Sequence, residues 1–390
     1  MVQSATFDFV VQSATFDFVV QSATFDFVVQ SATFDFVVQY FMQNQNFLHR
    51  LLETPGPSGF ESRVSALWAD EARAFSSVTH DPHGNVYATI GRERGLKVML
   101  CGHLDEIGLM ISQIGEKGFV RVKALGGWDL QVLPGQRVRV LAKDGDLMAV
   151  VGRKPVHLMS GDDSSKAVKI EDIWLDFGLP LEELKLKVQL GDVAVIEQPV
   201  LQIGDKLVSK ALDNRVGGFI VFEALRRLSA LDCLHEVTAV ATSQEEIGSF
   251  GARFAVQHLE PKLAIAIDMT FESLQPGVDS ADVGEVPFGS GVNITLGAVV
   301  NPKLNAMLLE SAKKHDIKTS LTVSPKSTGT DADATALFGK GTPSAALSVP
   351  LRYMHSPNEM VQLSDIEDCI NLIVQFILDL PGDADFSRSV

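Results

Sequence analysis

Cysteine is scarce in this chain: three residues in 390, Cys101, Cys233 and Cys369, lie far apart and never at a Cys-x-x-Cys spacing. That excludes a disulfide framework and a thiolate-bound structural zinc, and a reducing cytoplasm fits best. Basic residues are outnumbered as well, 33 against 49 acidic ones, for a formal charge of -16. The imbalance disfavours nucleic acid and anionic lipid as partners and tolerates bound cations. No apolar run reaches the length of a membrane span, and the N-terminus lacks the basic-then-apolar order of a secretory signal. Neither a membrane partner nor export is expected. What remains, 46% hydrophobic and 21% charged residues, describes a globular protein with a large core and room for two or three domains.

The nonapeptide VQSATFDFV occurs four times without change across residues 2–37. A nine-residue period turns a strand over with each copy and rotates a helix by half a turn, so no regular element keeps one apolar face. Residues 1–39 are therefore expected to be a disordered arm or an artefact, from a replication slip, cloning or a mis-set start. The alternative is an oligomerisation or aggregation-prone arm, since each copy is β-prone and carries one charge.

From Gln43 onward the pattern is that of a folded body. Ser58-x-x-Glu61 reads as a capping box before Val64, Leu67 and Trp68, which predicts a helix starting there. Residues 97–101, 236–242, 263–268 and 344–349 are short apolar runs suited to strands buried on both faces. Helical spacing marks 219–228, 303–314 and 364–380, the last opening with a second capping box, Ser364 and Glu367. Alternation of this kind predicts an α/β sheet with helices on both faces. Residues 111–199 differ: GFVRVKAL, QRVRVLAK, DLMAVVGR and DVAVIEQPV alternate apolar with polar, and Asp144-Gly145 is a hairpin signal. The expected organisation is the arm at 1–39, a first catalytic part at 40–110, an inserted β-barrel at 111–199, a second catalytic part at 200–382 and a tail at 383–390.

Five segments place metal-type ligands where apolar runs end: Gly102-His103-Leu104-Asp105-Glu106, Ala211-Leu212-Asp213-Asn214-Arg215, Gln244-Glu245-Glu246, Ile267-Asp268 and Tyr353-Met354-His355-Ser356. Two histidines with several carboxylates match zinc or cobalt better than calcium. Each segment has an ordinary reading too. Glu245-Glu246 could open a helix, Asp213 to Arg215 could be a turn with a local ion pair, and Asp268 could cap a helix. Asp331 and Asp333 read as loop and capping residues, and the other seven histidines as surface or satisfied ones.

GHLDEIG (102–108), ALDNR (211–215), QEEIGSFGA (244–252), GTDAD (329–333) and RYMHSP (352–357) occur in an order that resembles the tetrahedral, or deblocking and glutamyl, aminopeptidases. The resemblance covers nearly everything after about residue 47; the nonapeptide repeat has no counterpart in it. It implies a mixed-sheet, zinc-exopeptidase-like α/β/α catalytic domain with an inserted small β-barrel, two divalent ions (zinc or cobalt), and peptide substrates. It further implies that His103 and Asp268 hold one ion, that Glu246 and His355 hold the other, and that Asp213 bridges them. Glu245 would then be the general base and Asp105 would fix the His103 ring. A dodecameric tetrahedral shell built from dimers is implied as well. Because no proposed ligand lies between residues 111 and 199, the barrel is expected to serve assembly rather than chemistry. The rival readings are a metal-dependent deacylase or amidohydrolase on the same site, a glycan hydrolase, and a non-catalytic relic.

Overall fold

A computed structural model describes residues 46–91, 95–161 and 166–388. The chain divides into two units, Met1–Phe47 and Leu48–Val390. The repeated nonapeptide lies outside the described residues, and everything below concerns the second unit.

The centre of the large sheet is four strands: β3 (Lys97–His103), β12 (Glu236–Thr242), β13 (Leu263–Phe271) and β16 (Ser344–Arg352). They pair in parallel in the order β12-β3-β13-β16. Nearly every residue in them is buried, the condition under which strands read as unbroken apolar runs. Antiparallel strands extend both sides. β1 (Ser77–His80) and β2 (Val86–Ile90) flank β12; β17 (Glu359–Gln362), β11 (Lys206–Ser209) and β10 (Leu201–Ile203) follow β16. A branch of β14 (Val292–Gly297) and β15 (Thr319–Ser324) joins β16, completing an 11-stranded mixed sheet.

Helices cover this sheet. In chain order the named helices are α1 (Ser62–Ala72), α2 (Leu181–Lys187), α3 (Leu212–Ser229), α4 (Phe250–Leu259), the single turn α5 (Ser280–Val283), α6 (Pro302–Lys314), α7 (Asp331–Leu337) and α8 (Leu363–Asp379); α2 belongs instead to the inserted body, where Leu184 joins the core. Met99, Cys101, Ala264, Ala266 and Ala346 pack with Ala255 and Val256 of α4 and Ala332 of α7. Residues of opposite parity point to the other face, where α3 lies along β3, β12 and β13 and packs on α8. No described helix is long and apolar enough to cross a membrane.

The inserted body is a closed six-stranded antiparallel barrel, β4-β5-β8-β7-β6-β9. Its strands are β4 (Gly108–Ile114), β5 (Val120–Leu125), β6 (Arg137–Ala142), β7 (Gly145–Arg153), β8 (Ile173–Asp176) and β9 (Val193–Ile196). Alternation puts Leu109, Val120, Val138, Val140, Val151, Leu175 and Ile196 into one apolar interior. The hairpin turns at Lys143-Asp144, with Ala142 opposite Gly145, one residue before the Asp-Gly signal.

Three local expectations are corrected. Neither capping box forms: α1 is preceded by Glu61 and α8 by Gln362, both without a side-chain cap. Ser58 and Glu61 serve other partners, described below, and Ser364 accepts from the Gln362 side chain. Helix α3 begins seven residues before its apolar pattern, because its first turns are polar yet buried. Strands β3, β13 and β16 likewise run past the expected ends at 101, 268 and 349, to His103, Phe271 and Arg352.

Candidate metal centre

Ligands of parallel α/β sheets bind beyond the carboxyl ends of the strands, and all the proposed site residues collect there. His103 ends β3, Asp268 lies in β13, Glu245 and Glu246 follow β12, His355 follows β16, and Asp213 sits in the first turn of α3. Asp268 is therefore no helix cap. Asp213 and Asn214 depart from helical geometry within α3. Ala211, Gln244, Ser249, Tyr353 and His355 all have positive φ. Strained backbone of this kind, clustered in three site segments, is where a fold commits stability to holding a geometry.

Asp213 is the hub. Its Oδ1 lies 3.4 Å from His103 Nε2 and its Oδ2 3.5 Å from His355 Nε2. His103 Nε2 is 3.9 Å from Asp268 Oδ1 and 3.8 Å from Glu245 Oε2. His355 Nε2 is 3.3 Å from Glu246 Oε1. One ligand atom each from His103, Asp213 and Glu246 fall within 4.8 Å of one another. Two histidine–carboxylate groups thus share one aspartate.

Beneath them a layer of buried polar groups fixes these side chains. Asp105 is fully buried and faces the His103 Nδ1 edge, its Oδ1 3.3 Å away and its own carbonyl oxygen 3.2 Å away. The same carboxylate accepts from the backbone N–H of Glu245 (3.0 Å) and Glu246 (3.1 Å) and from the Ser58 hydroxyl. Asp105 thereby ties the β3 ligand to the acidic pair. Glu61 Oε1 accepts from the Gln244 and Gly59 amides, which is where the anticipated capping-box residues go. Asn214 donates to the Ile267 carbonyl at 2.7 Å and accepts from the Gly217 amide, locking α3 to β13. Arg215 makes no local pair with Asp213; with Lys210 it holds buried Glu106, at 3.0 and 2.6 Å. Glu359 accepts from the Asp213 amide at 3.0 Å and the His355 amide at 2.7 Å.

Burial and mutual repulsion set the charge states. Burial pushes Glu245 up to about 8, with Asp331, Asp105 and Glu246 adding repulsion against the pull of His103. Burial also raises Glu246, and raises Asp268 well above its ordinary range with help from Asp213. Burial opposes a charged His355, but Asp213 and Glu246 outweigh it and lift the imidazole to about 11. His103 is likewise lifted well above its usual value by Asp105 and Asp213 in spite of burial. Asp213 is lowered: desolvation works against the anion, and the two histidines overcome it.

Such a set fits a divalent cation of mixed nitrogen and oxygen preference. Asp213 Oδ1 is buried without a hydrogen-bond donor. The Nδ1 side of His103 is engaged by Asp105, leaving Nε2 to face the carboxylates, the arrangement that orients a ligating imidazole. Five carboxylates with only two imidazoles leave a negative excess that cations would neutralise.

Several residues beside the centre had only an ordinary reading in the sequence. Asp331 is buried in the first turn of α7, accepts from Thr242 at 2.6 Å and is raised to about 6 by burial, so it is more than a loop or capping residue. Asp333 accepts from the Thr328 and Gly329 amides, as a turn residue does. The barrel also reaches the site. A Cβ on Gly127 would lie 3.4 Å from His355 Nδ1, and one on Gly126 3.5 Å from the Glu246 Cβ. The loop after β5 thus walls the His355–Glu246 side, although the barrel supplies none of the proposed ligands. Among the remaining histidines, His235 is a satisfied buried ring, bonded to Leu380 O and Leu96 N, and His315 pairs with Asp379 at 2.8 Å.

A family profile described as M42 glutamyl aminopeptidase matches residues 84–372. The chain is 31% identical to the lysyl aminopeptidase of Pyrococcus furiosus, over 87% of this chain and 98% of that one. It is 31% identical to the glutamyl aminopeptidase of Lactococcus lactis, over 81% and 90%. The solved structure of the Pyrococcus horikoshii TET1 peptidase superposes with a TM-score of 0.78 at 30% identity, covering 86% of this chain and 100% of that one. With the profile spanning well over half its length and its relatives matched nearly end to end, the chain belongs to the M42 glutamyl aminopeptidase family of metal-dependent exopeptidases.

Proposed function

We propose that this aminopeptidase acts in the cytoplasm on short peptides, with two divalent cations, zinc or cobalt, divided between His103–Asp268 and His355–Glu246 and bridged by Asp213. The observation that carries the reading is the disposition of Asp213, one carboxylate oxygen toward each histidine. When bound, such cations supply Lewis acidity, polarising the scissile carbonyl and making water easier to deprotonate. The protein does the rest. Glu245 Oε2, 3.8 Å from His103 Nε2, takes a proton from the attacking water as its oxygen bonds to the carbonyl carbon. The same oxygen returns the proton to the departing amine nitrogen as the C–N bond breaks. Ser249 supports the other Glu245 oxygen at 3.3 Å, and Asp105 keeps the His103 ring and the Glu245-Glu246 backbone in one frame.

The P. horikoshii TET1 peptidase can assemble into a tetrahedron or a large octahedral shell. We carry the tetrahedral form to this chain as a dodecamer built from dimers. The preferred N-terminal residue stays open, because the relatives named above act on lysyl and glutamyl substrates.

The test compares Glu245→Gln with Glu246→Ala. Glu245→Gln should retain the wild-type metal content and lose turnover on aminoacyl-p-nitroanilides by ~10²–10⁴-fold or more. Glu246→Ala should lose one cation per chain. An active Glu245→Gln enzyme would remove the base assignment, and full metal content in Glu246→Ala would remove that ligand.

A further inference from the structure

We infer that Glu359 is a positioning residue that sets the spacing between the two halves of the metal centre, by hydrogen-bonding the backbone of Asp213 with one carboxylate oxygen and that of His355 with the other. The inference rests on the ligand reading above and adds a residue to it.

Glu359 opens β17 and pairs in register with Ser209 of β11, the strand that leads through Lys210 and Ala211 into Asp213. It is also only four residues beyond His355. A single side chain at this position reaches both segments. Its Oε2 accepts from the Asp213 amide at 3.0 Å and its Oε1 from the His355 amide at 2.7 Å.

Neither amide has an alternative of the regular kind. Asp213 lies in the first turn of α3, where helical N–H groups have no intrahelical acceptor, and its own backbone is not helical. His355 lies beyond the end of β16 with φ +60°, outside any strand ladder. Glu359 is 2% exposed, and among the described residues no lysine or arginine pairs with it. A buried carboxylate that no lysine or arginine side chain pairs with is an unfavourable choice for fold stability alone. What it accomplishes that a neutral side chain cannot is acceptance at both ends. Glutamine offers one oxygen and one NH2, so one of the two amides would face a donor.

The consequence falls on the ligands. Asp213 Oδ2 and His355 Nε2 stand 3.5 Å apart, and their backbones are referred to one rigid carboxylate. Loosening either end lets the His355–Glu246 half drift from Asp213 while His103, held independently by Asp105, stays.

The experiment uses the full chain and the variants Glu359→Gln, Glu359→Asp and Asp213→Asn, each loaded with cobalt(II) and dialysed against fixed free cobalt. Glu359→Gln should bind one of the two ions about 10–100-fold more weakly, the usual cost of losing a group that orients a ligand. The visible cobalt spectrum should change, and kcat should fall while KM stays within about twofold. Glu359→Asp, too short to reach both amides, should move in the same direction, and it carries the decision if the glutamine variant fails to fold. Wild-type cobalt affinity and spectrum in the Glu359 variants, even with lowered Tm, would overturn the inference and leave Glu359 a structural residue. The Asp213→Asn control separates the two readings. If it keeps both ions, the ligand assignment itself fails; if it loses metal while the Glu359 variants do not, only the role of Glu359 fails.

Discussion

At the scale of single residues, the ion pairs of the centre couple histidine protonation to the proposed binding of cations. His355 is held up to about 11 by Asp213 and Glu246, after the opposing effect of burial. Its folded value lies above the ordinary imidazole range, so its protonated form stabilises the metal-free fold. That contribution is complete below the unfolded value near 6.5 and is lost as pH rises through about 11. A cation must therefore displace the proton from Nε2 to bind there. Metal binding should release at least one proton per chain at about neutral pH, and the apparent affinity should rise with pH through that range. Calorimetric titration in two buffers of different ionisation enthalpy measures the release directly. Zero proton release would mean that His355 is neutral before metal binds, contradicting its ion pairs. Legibility in the sequence follows the same chemistry. His103, Asp213, Glu245, Glu246, Asp268 and His355 announce themselves as ligand-type residues at the ends of apolar runs. Glu359 does not, because a carboxylate that accepts backbone amides has the sequence appearance of any surface acid.

At the scale of elements, the centre depends on how closely α3 approaches β3. Gly102 precedes His103, and a Cβ on it would lie 2.5 Å from the Gly217 carbonyl carbon and 2.8 Å from the Gly218 nitrogen. Trp68 of α1 reinforces the contact by donating to the Gly218 carbonyl at 2.9 Å. The glycines let two backbones touch, and this contact brings Asp213 on α3 to within 3.4 Å of His103 on β3. Gly102→Ala should therefore destabilise the fold by about 2 kcal/mol or more, because the clash is with backbone that cannot rotate away. It should also weaken metal binding by moving the two ligands apart. Urea unfolding of the metal-free variant reads the first effect and cobalt titration the second; an unchanged unfolding midpoint would show that α3 can shift freely. Central strands were legible because they are buried on both faces, so a run such as 263–268 is apolar in all but Asp268. Their ends were not, since β3 keeps ladder geometry through His103 and β13 continues past Asp268 to Phe271, where polarity marks the site rather than the strand's stop. The two capping boxes failed for a related reason. Ser58 and Glu61 have the spacing of a cap, but tertiary partners at Asp105 and Gln244 outbid the helix end.

At the scale of the whole molecule, the barrel both borders the centre and carries exposed apolar side chains. Its loop after β5 borders His355 and Glu246, while other parts of it leave large apolar side chains in solvent: Met148, Val150, Val156 and Leu158 are 48%, 47%, 64% and 68% exposed. Side chains of this size gathered on one small body are the kind that partner surfaces cover. Closed point-group assemblies are the usual result when identical chains cover each other's surfaces, and an exopeptidase gains from enclosure because a shell admits short peptides and excludes folded proteins. The metal-loaded chain of 42.3 kDa should run as a closed particle of twelve copies, about 508 kDa, in size exclusion coupled to light scattering. A chain starting at residue 40 should form the same particle, since every proposed ligand lies beyond residue 100. Val156→Asp with Leu158→Asp should give a smaller species if this barrel face is buried in the shell, because charge placed in an apolar contact goes unpaired. Two outcomes would count against enclosure. A monomer with full kcat/KM on aminoacyl-p-nitroanilides would make the shell dispensable to the chemistry, and a stable dimer would confine the likeness to the shell-forming relative to the subunit fold.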